Sequence, residues 1–152
     1  MKAYKKGIRI TGLEVFDPYI ERVEDTGLYE RVIKMDVRRF RTNRTWDIIL
    51  WSDGPEHLEK LEALDVISKA EEWGQRVIIS TPLGYMAQTD IDGNLANFHR
   101  SCWEPWELEA WGYKTEVLDY VVVSAPKIFR PFIRAYNYLR MRPQRQIIAW
   151  KG

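Results

Sequence analysis

The sequence predicts an α/β protein, a single domain over residues 1–152 built on a mostly parallel sheet with right-handed crossovers. Three observations point there. Strand-type and helix-type segments alternate through the first hundred residues, as they do when helices cover a parallel sheet. An apolar fraction of 45% in 152 residues is enough for one core, and the length leaves no room for a second full domain. Charged residues at 30% and aromatics at 13% exclude disorder and low-complexity chains.

The elements follow in order. Residues 8–16 alternate apolar and polar side chains and read as a strand, interrupted by Asp17-Pro18. Asp17 is placed as the N-cap of a short helix reaching about Asp25, with Pro18 at the first helical position, where no amide is needed. Gly27 ends it, and residues 31–36 form the second strand. A basic, turn-rich stretch, residues 38–44, leads into residues 46–51, a strand apolar enough to be covered on both faces.

Asp53-Gly54-Pro55-Glu56 has the form of a helix start, with a reciprocal Asp53/Glu56 capping box, and this helix runs to about Trp73. Leu58, Leu61, Leu64, Ile67 and Ala70, joined by Ala63 and Val66, give it a broad apolar side. Residues 76–80 are a buried-type strand stopped by Thr81-Pro82. Residues 83–102 lack a period and form a loop of a length that is usually functional. A short helix at residues 104–111 is closed by Gly112. A strand at 114–124, an aromatic-rich helix at 126–141 and a last strand at 145–150 complete the chain.

Several function classes are excluded or narrowed by composition. Apolar runs are far shorter than the ~20 residues of a membrane-spanning helix, and no apolar signal core follows the first residues, so the expected location is cytoplasmic. The lone Cys102 forms no internal disulfide, and two histidines without CxxC or HxxxH spacing give no metal site. Net charge is +1, but residues 125–152 carry +7 with no acidic residue and the rest carries −6. That basic segment suits a polyanion such as nucleic acid, or the protein's own acidic face. Phe129, Phe132, Ile133, Tyr136 and Leu139 at helical spacing favour packing on the sheet over lying on a membrane or RNA.

Ligands of open α/β sheets bind beyond the carboxyl ends of the strands, which directs attention to Glu14, Asp17, Asp36, Trp51 to Asp53 and Thr81-Pro82. At these positions the chain resembles the class I S-adenosylmethionine-dependent methyltransferases, in the small-molecule type with "EHL" after the fourth strand. Thr11-Gly12-Leu13-Glu14-Val15-Phe16, Met35-Asp36-Val37, Trp46-Asp47-Ile48-Ile49-Leu50, Glu56-His57-Leu58 and Val77-Ile78-Ile79-Ser80-Thr81-Pro82 carry the likeness, in order, over about residues 8–120. The resemblance implies a three-layer sandwich with a Rossmann-like sheet and an antiparallel strand near the C-terminus.

It also implies S-adenosyl-L-methionine as cofactor and methyl transfer to an unidentified small-molecule acceptor. Glu14 matches the ribose-binding acid, Asp36 and Val37 the adenine contacts, and Trp51, Ser52 and Asp53 the residues bordering the reacting methyl group. The family's first strand and glycine-rich loop have no counterpart, since only seven residues precede Ile8 and no GxGxG occurs. The expectation is therefore an N-terminally truncated fold, whose sheet pairs its remaining strands directly or takes a strand from another copy or a partner. Two rivals stand beside the enzyme: a non-catalytic truncated interaction module and a nucleic-acid-binding accessory protein.

Each candidate has a plainer reading. Glu14 is otherwise a surface carboxylate, Asp36 a turn former and Asp53 a helix cap. His57 is a general base or, more simply, an exposed first-turn histidine; His99 orients a substrate or only decorates the loop. Cys102 is read as a small buried apolar residue, and Tyr85, Trp103 and Trp106 as pocket walls or core.

Overall fold

A computed structural model describes residues 7–119 and 145–152 of the chain. The expected aromatic-rich helix at 126–141, its basic residues and the end of the strand before it lie outside the described residues. No helix among the described residues is long and apolar enough to cross a membrane. The chain divides into two compact units, residues 1–42 with 90–96, and residues 43–89 with 97–152.

In the first unit β1 (Thr11–Glu14) pairs in parallel with β2 (Arg31–Lys34), Glu14 lying opposite Lys34. Between them runs α1 (Asp17–Glu24). Both strands are shorter than the sequence suggested. The N-cap is Phe16 rather than Asp17, and Asp17 instead pairs with Lys34 at 2.6 Å. No residue of α1 is buried, and Gly27, at φ 61°, supplies the left-handed turn that leads into β2.

All buried apolar side chains among the described residues lie in the second unit. There β3 (Ile49–Ser52) pairs in parallel with β4 (Val77–Pro82). The remaining neighbour of β4 is β6 (Arg145–Lys151), antiparallel, and β6 in turn pairs antiparallel with β5 (Lys114–Asp119). The order is β3-β4-β6-β5. The sheet is thus mixed: β3, β4 and β5 share one direction and β6 alone runs against them, as the antiparallel strand near the C-terminus that the resemblance implied. Among the described residues β3 is an edge of this sheet and Leu50 on it is 66% exposed, so the expectation that this segment is covered on both faces fails. Strand β4 runs through Thr81-Pro82 instead of stopping there: Pro82 sits opposite Gln146, and the ladder is carried on by the Leu83 amide bonding to Arg145 O at 2.9 Å.

Helix α2 (Lys60–Trp73) begins later than expected. A 3-10 turn, Pro55–His57, precedes it, and the capping box is formed by Glu59 and Glu62 rather than by Asp53 and Glu56. Its buried stripe is Ala63, Val66, Ile67 and Ala70, the i, i+3, i+4, i+7 set of one helix face. Leu61, expected in a broader apolar side, is 80% exposed. Short helix α3 (Pro105–Glu109) has its own Glu104/Glu107 capping box. Trp103 before it is fully buried, with Lys60 Nζ 3.9 Å from its ring centroid.

One ionisable group belongs to this core. Glu56 is 3% exposed, and its Oε2 accepts from Thr81 Oγ1 at 2.9 Å. Burial, opposed by hydrogen bonding from Thr81, pushes its carboxyl up to about 7.

Two outcomes follow from this packing. Ile67→Ala empties a fully enclosed site and is expected to lower unfolding free energy by roughly 2–5 kcal/mol in urea titrations, whereas Leu61→Ala should change it by less than about 0.5 kcal/mol. A carboxyl whose folded pKa lies above its unfolded one contributes stability that is full below about 4.5 and is lost as pH rises through about 7. Urea midpoints measured across that window should fall with rising pH in the wild type, by an amount on the order of 3 kcal/mol in free energy, and Glu56→Gln should flatten that slope.

Candidate functional site

The carboxyl ends of β3 and β4 and the start of β6 converge in the second unit. Because β6 is antiparallel, its first residues lie beside the last residues of β4, with Gln146 opposite Pro82. An open cleft of about 250 Å³ forms there, lined by Asp53, Glu56, His57, Pro82, Met86, Gln88, His99, Arg145 and Gln146.

The loop leaving β3 is tightly built. Asp53 has φ 47°, an uncommon conformation for a residue with a side chain. Its amide donates to Ser80 O at 2.9 Å and Ser80 Oγ at 3.1 Å, and Gln146 Nε2 donates to its Oδ1. Ser52 Oγ lies 3.0 Å from Ser80 Oγ. Trp51 folds back over Gly54, where an added Cβ would lie 1.9 Å from the indole Nε1, so glycine is required for space rather than for its φ. Asp53 is therefore a strained strand-end residue lining the cleft, not the helix cap of its plainer reading.

The opposite wall comes from the loop. Arg100 and Ser101 amides both donate to Glu56 O, at 2.7 and 3.1 Å, and Ser101 Oγ donates to Pro55 O at 3.1 Å. These bonds bring His99 against His57, ring centroids 5.0 Å apart and 62° to one another. His57 is 19% exposed at its side chain, so it is not the exposed histidine the sequence favoured. Its Nδ1 lies 3.3 Å from Phe98 O, and His99 Nδ1 lies 2.7 Å from Met86 O. A carbonyl oxygen only accepts, so in the neutral rings each Nδ1 carries the proton and each Nε2 keeps its lone pair. Burial holds the His57 pKa below its ordinary value, with His99 acting in the same direction. Glu56 Oε1 stands 4.0 Å from His57 Nε2.

Three of the expected residues are in the first unit. Glu14 is half-buried, and its Oε1 accepts from the Val15 and Phe16 amides at 2.7 and 2.9 Å, fixing the turn into α1. Asp36 is held by Arg38, through Nε at 3.0 Å, Nη2 at 2.5 Å and the backbone amide at 2.9 Å. The Arg38 hydrogen bonds lower its pKa, and its carboxylate serves the turn that continues through Val37. Trp103 is core, whereas Tyr85 and Trp106 are exposed, and Cys102 is exposed rather than buried.

The sequence singled out His57 and His99 separately and assigned Glu56 to a capping box. Their meeting depends on the backbone bonds from residues 100 and 101, which no spacing rule encodes.

No protein-family model matches the chain, and no curated protein matches it by sequence. Solved structures do match. A DhpI complex with SAH superposes with a TM-score of 0.63 at 14% identity, over 95% of this chain and 66% of that one. The N-terminal domain of EvdMO1 with SAH bound gives 0.60 at 16%, over 97% and 66%. A SAM-dependent methyltransferase from Archaeoglobus fulgidus gives 0.54 at 18%, over 97% and 78%. The chain spans about two thirds of the length of the DhpI and EvdMO1 chains. At these identities the likeness is one of fold, and the chain has a class I methyltransferase-like α/β fold.

Proposed function

We propose that this chain takes part in methyl transfer from S-adenosylmethionine to a nucleophilic acceptor. The observation that carries the reading is the fold likeness to proteins solved with SAH bound, over nearly the whole of this chain. When bound, the cofactor supplies an electrophilic methyl group on a sulfonium, transferred by in-line displacement. Such a reaction depends on alignment and on excluding water more than on a strong base.

The chain's own residues divide that work. Glu14 Oε1 is engaged locally, and Oε2 is the oxygen proposed to accept from the ribose hydroxyls. Asp36 and Val37 are assigned to the adenine edge, which requires the Asp36 carboxylate to share its Arg38 partner. Trp51, Ser52 and the strained Asp53 are assigned to the methionine part, and the cleft beside Asp53 to the acceptor, with His57 and His99 facing it. The three-layer arrangement belongs to the same proposal. Among the described residues β1 and β3 each pair on one side only, which suits the addition of a strand bearing a glycine-rich turn from another segment or chain.

Isothermal titration of the protein with S-adenosylhomocysteine tests this. Saturable binding is expected, weakened about tenfold or more by Glu14→Ala, the loss of a charge-assisted bond of roughly 1.5–3 kcal/mol. No heat at millimolar ligand would overturn the reading and leave a non-catalytic module. Binding unchanged by Glu14→Ala would overturn the ribose assignment.

A further inference from the structure

We propose that Glu56, His57 and His99 bind one first-row divalent metal ion of the zinc class in the cleft at the carboxyl end of β4. One ligand atom from each residue falls in a group whose members all lie within 4.8 Å of one another. The geometry around them is what a metal needs. Both imidazoles have Nδ1 committed to a backbone carbonyl, Phe98 O for His57 and Met86 O for His99, which leaves Nε2 on each as an unprotonated donor. The Glu56 carboxylate is 3% exposed and presents Oε1 toward His57 Nε2, while Oε2 is anchored by Thr81. Asp53, on the same cleft, adds negative charge.

Two imidazoles and one carboxylate form a mixed nitrogen and oxygen set that suits zinc and its neighbours, whereas calcium and magnesium favour oxygen alone. Donors about 2.0 Å from a tetrahedral zinc lie about 3.3 Å apart. The ligand atoms of the three residues lie within 4.8 Å of one another, so binding draws them closer by up to about 1.5 Å. Three protein ligands leave at least one position open to the cleft, beside Gln88 and Arg145. On the methyl-transfer reading above, and resting on it, that position takes an oxygen of the acceptor, whose proton the metal makes easier to lose.

Metal binding is tested with no cofactor present. The full chain, stripped with chelator, is titrated calorimetrically with zinc chloride and followed in the visible with cobalt chloride. One equivalent is expected to bind with a micromolar or tighter dissociation constant. His57→Ala and His99→Ala should each weaken it at least tenfold while the apo melting curve of His99→Ala, a loop substitution, stays near that of the wild type. Cys102→Ser removes the exposed thiol as a competing ligand and should change nothing. Binding absent at one equivalent, unaffected by His99→Ala, or lost with Cys102→Ser would overturn the site. Zinc binding without S-adenosylhomocysteine binding would leave the metal site standing and remove the methyl-transfer reading; the converse result would do the reverse.

Discussion

The cleft depends on one backbone carbonyl. Glu56 O accepts from both the Arg100 and Ser101 amides, and Ser101 Oγ adds a third bond to Pro55 O. A typical hydrogen bond of this kind is worth about 0.5–1.5 kcal/mol net, so the three together outweigh the ordering of a few loop residues only because the turn itself is already fixed. It is fixed by the same residue's side chain, buried against Thr81 near the carboxyl end of β4. Glu56 thus holds its segment by its carboxylate and the loop by its carbonyl. Remove the side-chain anchor and the two histidines lose their common frame.

How far the sequence disclosed this arrangement varies from element to element. Val77 to Ser80 are apolar enough to be a buried strand in any context, and they are. Thr81-Pro82 misled because a proline reads as a stop locally, yet in an antiparallel pair with Gln146 its missing amide is tolerated and the next amide carries the ladder on. Two capping-box patterns occur in succession, at Asp53/Glu56 and Glu59/Glu62, and local pattern gives no ground for choosing between them. The choice was made by Thr81, a residue distant in sequence, which drew the Glu56 carboxylate inward and displaced the helix start to Lys60. The breadth of the apolar side of α2 was overread at one position: Leu58, just before the helix, is in the core, whereas Leu61 satisfies a pattern that the actual face, starting at Ala63, does not use.

Strand direction explains why the cleft is polar on one side. Had β6 run parallel to β4, its first residues would lie at the far end of the sheet. Running antiparallel, it delivers Arg145 and Gln146 to the tips of β3 and β4, where Gln146 bonds Asp53 and Arg145 faces the histidine wall. A sequence reading that places a last strand at these residues locates the strand but not the cation and amide it contributes, because that depends on its orientation and neighbour.

The two walls differ in how they can respond to a ligand. On the β3 side, Asp53 holds a left-handed conformation that costs an L-residue on the order of 1–2 kcal/mol, offset by its amide bonds to Ser80 and its carboxylate bond to Gln146. Trp51 folds over Gly54 and leaves no room for a side chain there. On the loop side, His99 is held by backbone bonds and one Nδ1 contact, and its ring is open to the cleft. A ligand entering between them meets a backbone-strained aspartate on one side and, on the other, two imidazoles each tied through Nδ1 to a backbone carbonyl, so that only Nε2 of each ring is left to engage it.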